Sequence, residues 1–180
     1  MQTYKAEKNA DLVFTFPEDL FFEEMDRQGI PLPVGMSLVD IVIECNDVVY
    51  LVEIKDPSHT RGCQKDREKF VERMKGDQYI SEELVPKARD SYTFLHLMER
   101  YENRKIVFVF LVGLDFWAHE FQKGILVNYR DRLFERILCE TAVPWQRQYV
   151  SNCLVLTVES WNSTFPNWAV ARIGHTDSTT

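Results

Sequence analysis

The chain lacks a basic charge balance, a long apolar run and any close cysteine pairing, and each absence narrows what it does. Lys and Arg number 21 against 28 Asp and Glu in 180 residues, a net charge of −7. Proteins that coat nucleic acid without regard to sequence rely on a strong overall basic field, so any phosphate contact here has to be local. No apolar stretch approaches the ~20 residues that a membrane span needs. The opening MQTYKAEKNADL also lacks the apolar centre of a signal peptide. A cytoplasmic protein with no membrane partner is the expectation. Cys45, Cys63, Cys139 and Cys153 are scattered, with no CxxC and no histidine at zinc-finger spacing, which predicts reduced thiols. Asn162-Ser163-Thr164 matches a glycosylation acceptor but is set aside without a secretory signal. A Gly-rich phosphate loop, a GxSxG elbow and internal repeats are missing too.

What is present is the composition of a globular chain, 45% hydrophobic and 13% aromatic. One domain over residues 1–180 is expected, with 1–11 and 174–180 loosely held. Its chemistry is concentrated in LVDIVIECNDVVYLVEIKD, from Leu38 to Asp56. Two β-branched runs, Leu38 to Glu44 and Val48 to Lys55, flank Cys45-Asn46-Asp47, which predicts a β-hairpin. With Asn46 and Asp47, both tolerant of positive φ, as the turn residues, Cys45 faces Val48, and the ladder pairs Glu44 with Val49, Val42 with Leu51 and Asp40 with Glu53. Directly opposed carboxylates lie ~5 Å apart and repel unless a cation sits between them. Alternation places Lys55 on the face of Glu53, and Val52 and Ile54 on the other. A Glu-x-Lys alone commonly just solvates a strand face; three charged groups meeting on an otherwise apolar hairpin need another reason. Oxygen ligands from one or two carboxylates suit Mg²⁺, and a nearby ammonium orients water and stabilises charge on a phosphorus centre.

Asp40, followed by Glu53-Ile54-Lys55 on a hydrophobic hairpin, resembles the PD-(D/E)XK nuclease superfamily, with Val39 where that pattern usually has proline. The resemblance covers the core motif only. It implies an α/β domain with a central mixed β-sheet flanked by helices, restriction-endonuclease-like. Asp40, Glu53 and the Ile54 carbonyl would hold Mg²⁺ or Mn²⁺, Lys55 would position the attacking water, and Glu24 would assist. The implied activity is hydrolysis of nucleic-acid phosphodiesters, DNA before RNA and endonucleolytic before exonucleolytic. Restriction, anti-phage defence or a mobile element is the implied setting, as a homodimer or as a subunit of a larger complex. The competing expectation is a nuclease-like fold serving as a noncatalytic assembly subunit.

Along the rest of the chain, Leu12 to Phe16 predicts a short strand or an extended lead-in. Pro17, Glu18 and Asp19 read as the first turn of a helix closed by Gly29, with Leu20, Phe21 and Met25 inward and Glu24 among them. Glu24 is otherwise a boundary glutamate, and Glu18 is its substitute in the assisting role. Ile30 to Met36 is an extended connection or edge strand. After the loop 56–62, Gln64 to Lys75 predicts a helix with Phe70, Val71 and Met74 inward. Gln64, Lys65 and Lys69 are its nucleic-acid-binding candidates, against the reading of an ordinary solvated helix. His59 reads as a surface histidine. Ser81 to Arg100 predicts a helix with Ala88, Tyr92, Leu95 and Met98 inward, leaving Lys87 and Arg89 outside that face. Lys105 to Leu114 predicts a strand covered on both faces, and Asp115 a helix cap. Further predictions are a helix from Ala118 to Leu138, a strand over Ser151–Glu159, a turn-rich loop over 161–167 and a closing strand from Trp168 to Ile173. Trp161, Phe165 and Trp168 are expected to seal a sheet edge.

Overall fold

The hairpin forms in the expected register. In the computed structural model, which describes residues 1–6, 10–26 and 31–173, β4 (Ile41–Cys45) pairs antiparallel with β5 (Val48–Lys55), Cys45 opposite Val48 and Val42 opposite Leu51. Of the two turn residues only Asn46 takes positive φ, at 52°. The hairpin lies inside a five-stranded mixed sheet of order β3-β4-β5-β6-β7, in which β3 is Phe21–Glu24, β6 Lys105–Val112 and β7 Asn152–Leu156. The first two pairings are antiparallel; β5, β6 and β7 run parallel. As its continuous apolar run predicts, β6 is the strand buried on both faces.

Side-chain alternation divides the sheet into two cores. Val42, Val49, Leu51, Phe108, Phe110 and Val112 face the helices α1 (Gln64–Lys75), α2 (Val85–Leu97) and α4 (Tyr129–Leu138). Ile41, Ile43, Val52, Ile54, Val109 and Leu111 face a second, antiparallel sheet of β1 (Gln2–Lys5), β2 (Leu12–Phe16) and β8 (Ala169–Arg172), together with α5 (Val158–Thr164). The α/β class and mixed sheet stand. The layers are unequal, however: helices pack one face, and a small sheet with one short helix covers the other.

Several elements differ from expectation for local reasons. Residues 17–24 are not a helix. Pro17-Glu18-Asp19-Leu20 close a turn through Leu20 N–H to the Pro17 carbonyl, and the chain returns as β3 along β4. The aromatic pair Phe21-Phe22 suits a strand, where alternation turns Phe22 onto Phe16, ring centroids 4.8 Å apart, and leaves Phe21 exposed. This is the first sheet strand, which the sequence between Ile30 and Met36 did not supply. Gly29 and Ile30 lie outside the described residues, and 31–36 form an extended connection with a turn at Val34-Gly35. Near the chain's start, Gln2–Lys5 is held as a strand against β2 rather than loosely. Residues 174–180 lie outside the described residues.

The helix expected over 118–138 is two helices, α3 (His119–Leu126) and α4, broken where Asn128 adopts φ 57°. Asp115 does not cap α3, whose N-cap is Ala118; it binds Arg172 instead. The strand at 151–159 ends at Leu156 because Thr157 and Ser160 exchange hydrogen bonds in a capping box that starts α5, so Trp161 is helical and fully buried. A π-helical turn, Ile80–Leu84, leads into α2, and Met98 lies past its end in solvent.

Candidate active site

Asp40 stands just before β4, and the backbone leading to it is clamped by α2. Ser37 N–H donates to Asp90 Oδ2 at 3.0 Å, Val39 N–H to Ser91 Oγ at 2.9 Å, and Lys87 Nζ donates to the Leu38 carbonyl at 2.8 Å. Met25 N–H closes the other side on the Asp40 carbonyl at 2.8 Å. These backbone groups lie beyond the end of the β4 ladder, where side chains have to satisfy them. Lys87, Asp90 and Ser91 share one helix face because they are three and four residues apart.

Asp40 is 5% exposed and Glu53 fully buried. Asp40 Oδ2 accepts the Ile54 N–H at 2.5 Å. Lys55 Nζ lies 2.6 Å from Glu53 Oε1, and Lys87 Nζ lies 2.9 Å from Glu53 Oε2. Asp26 approaches Lys87 from outside at 3.6 Å. Asp40, Glu53 and Lys55 thus meet on the helix-covered face, as the register predicts, and Lys87 joins them. Each Glu53 oxygen thus faces one ammonium at close range, and the two cations hold the buried carboxylate between them.

The electrostatics follow from burial. Removal from water, and then the neighbouring Glu53 charge, push the Asp40 carboxyl up to about 7, against the opposing pull of Lys87, Lys55 and the Ile54 N–H. Burial works against the Lys55 charge, but Glu53 and Asp40 outweigh it and hold the ammonium protonated above its usual range. Tyr79 is buried beside this group, and desolvation followed by the Glu53 charge keeps its phenol protonated.

A cavity of about 260 Å³ opens at the C-terminal end of β5, lined by Asp40, Ile54, Lys55, Asp56, His59 and Arg67 among others. Its far wall is fixed by Arg67, which donates to the carbonyls of Pro57 and His59. Asp56 is committed elsewhere: it forms a bidentate pair with Arg172 at 2.8 and 2.9 Å and accepts the Asp11 N–H.

The remaining sequence candidates are placed differently. Glu24 is opposite Ile41, so its register assigns it to the sheet face away from Asp40 and Glu53. Gln64, Lys65 and Lys69 are on α1 as predicted but exposed, and Gln64 bonds Glu68; α1 turns Asp66, Arg67 and Phe70 toward the cavity instead. His59 lines the cavity rather than standing free on the surface. The main residue missed is Lys87. Its signal was a polar stripe, Lys87-x-x-Asp90-Ser91, running between Leu84, Ala88 and Leu95 on a helix otherwise read for apolar spacing.

Among the described residues no three His, Cys, Asp or Glu side chains are grouped to hold a metal. Mg²⁺ does not require three, since it commonly binds one or two carboxylates and keeps several waters. Asp40 and Glu53 are an oxygen set of that kind, each Glu53 oxygen keeping one lone pair beyond its ammonium contact. Because the N–H and C=O of a strand residue point to the same side, the Ile54 carbonyl also faces the Asp40 side. No family model, curated protein or solved structure matches the chain. No helix among the described residues is long and apolar enough to cross a membrane.

Proposed function

We propose that the chain is a Mg²⁺- or Mn²⁺-dependent hydrolase of nucleic-acid phosphodiesters, DNA favoured, built on a restriction-endonuclease-like core. The observation that carries this reading is the convergence of Asp40, Glu53 and Lys55 on one sheet face, with Asp40 and Lys55 lining a cavity. The mixed sheet with its acidic hairpin next to a parallel strand supports the architecture.

Asp40, Glu53 and the Ile54 carbonyl would hold the ion. When bound, it would polarise a phosphoryl oxygen and acidify a coordinated water. Lys55, with its side chain one-third exposed, can reach both the carboxylates and a substrate in the cavity. Its ammonium orients the attacking water and offsets the charge that develops on phosphorus. Lys87 pairs with Glu53 and holds it inward while fixing the Leu38 carbonyl, so strand and ligand move as one unit. The resemblance implies that assisting role for Glu24, and the β3 register gives Glu24 no support in it. Cutting both strands of a duplex would call for a homodimer or a partner subunit.

One observation favours a second reading. With Asp40 ionised, the Lys55–Glu53–Lys87–Asp40 group is already in charge balance, as an internal tether in a noncatalytic assembly subunit would be. Purified chain incubated with plasmid, single-stranded DNA or RNA, with Mg²⁺, Mn²⁺ or chelator, separates the two. The hydrolase reading expects metal-dependent cleavage that Asp40→Asn and Lys55→Ala abolish. Cleavage surviving both substitutions, or no divalent-metal binding by the unaltered chain at millimolar concentration, refutes it.

A further inference from the structure

A second cavity, of about 200 Å³, lies at the opposite end of the same sheet face, where α2 ends and β6 begins. From Lys87 to His96 along α2 is about 14 Å at 1.5 Å per residue, so it is separate from the carboxylate site. Its walls combine flat aromatic surfaces with guanidinium groups. The Tyr92 and His96 rings are parallel within 6° with centroids 5.7 Å apart, and Tyr149 packs on Tyr92 at 5.3 Å. Arg100, Arg104 and Arg147 line it, and Glu102 is the one acidic residue on its wall.

The arginines are not equivalent. Arg100 is held by Glu23 and the Tyr101 hydroxyl, and Arg104 by Glu44 and the Asn46 carbonyl. Both are fixed parts of the wall with their charge largely answered. Arg147 is exposed, and among the described residues it has no hydrogen bond or ion pair. The loop that builds the wall is strained: Glu99, Tyr101 and Asn103 adopt φ of 53°, 59° and 63°, three left-handed non-glycine residues within five positions. Such backbone costs of order 1 kcal/mol or more per residue and concentrates at ligand clamps.

We infer that this cavity binds a nucleoside monophosphate unit, with its base against the Tyr92–His96 surface and its phosphate on Arg147. The size agrees with this division. The cavity is below the volume of a drug-sized pocket and suits a base, which leaves the phosphate at the rim where Arg147 stands. Stacking on aromatic rings is tolerant of base identity, and a free guanidinium is suited to phosphate. The unit would be either a free mononucleotide or the phosphorylated end of a strand.

Titration calorimetry on the full chain, with chelator present so that nothing is cut, tests it independently of catalysis. The probes are AMP, CMP, GMP and UMP, the corresponding nucleosides, inorganic phosphate, and a short 5′-phosphorylated oligonucleotide with its unphosphorylated twin. One-to-one binding that Arg147→Ala and His96→Ala each weaken about tenfold is expected. Both residues are exposed, so neither variant disturbs folding. Binding by mononucleotides assigns the site to a free nucleotide, and binding by the phosphorylated oligonucleotide alone assigns it to a strand end. The inference is overturned if no probe binds at low-millimolar concentration, if phosphate binds as well as the nucleotides, or if Arg147→Ala changes nothing.

Discussion

Asp40 is a buried carboxyl held at a cost to stability, and the cost is measurable. Its carboxyl, ordinarily near 3.8, is pushed up to about 7 chiefly by burial and then by Glu53. The folded chain therefore binds the Asp40 proton more tightly than the unfolded chain does. Stability from this group is fully present below pH 3.8 and falls as pH rises toward 7. Taken at 1.36 kcal/mol per pH unit, the shift is worth about 4 kcal/mol above pH 7. Asp40→Asn removes the titration while leaving an amide oxygen to accept the Ile54 N–H. The variant is expected to be more stable than the unaltered chain at pH 8 by up to about 4 kcal/mol, or roughly 8–16 °C in Tm for a chain of this size. Near pH 4 the two should be nearly equal. Urea unfolding across pH 4–8 measures the difference, and Mg²⁺ added at pH 8 should stabilise the unaltered chain but not the variant. An Asp40→Asn chain that is less stable at pH 8, or a difference that does not change with pH, refutes the reasoning.

Three further substitutions probe how the site is held. Lys87→Met leaves buried Glu53 with one cation and frees the Leu38 carbonyl, so a loss of about 3–5 kcal/mol is expected in denaturant unfolding; pairing it with Glu53→Gln should recover much of that loss. Gly113→Ala places a Cβ 2.3 Å from Asp56 Oδ1, closer than atoms can approach, so the Asp56–Arg172 pair must shift and a loss of about 1–3 kcal/mol should appear as a lower Tm. Arg172→Lys keeps the charge but loses the bidentate fork on Asp56 and the reach to Asp115; it should loosen β8, which hydrogen exchange at Val170 and Ala171 would report.

The hairpin was legible because everything that fixes it is local. Period-2 apolar runs and a two-residue polar break set the register, and the register alone places Asp40, Glu53 and Lys55 on one face. The β6 run was legible for a similar reason, since a strand buried on both sides has no polar face to disguise it. Residues 17–24 misled because proline and acids at a chain reversal serve a β-turn as well as a helix start, and only the pairing of Phe21–Glu24 with β4 decides between them. The capping box at Thr157 was hidden because Ser160 stands where Glu or Gln is usual.

Lys87 marks the deeper limit. On α2 its neighbours in the chain say only that it lies beside an apolar stripe, and a lysine there would ordinarily reach for water. Its burial is decided by partners 49 and 34 positions earlier, the Leu38 carbonyl and Glu53, which the fold brings to it. Asp90 and Ser91 are explained by the same contact, because the backbone at Ser37 and Val39 runs past the β4 ladder and needs partners there. Three polar residues in consecutive turns of a buried helix face are costly unless each is satisfied. Their joint satisfaction by the segment that delivers Asp40 means that α2 sets the position of the first carboxylate and the charge environment of the second at once. Moving that helix would therefore change both carboxylates together, so Ser91→Ala, which alters the clamp on Val39 without altering the local charge, should lower metal affinity and stability together.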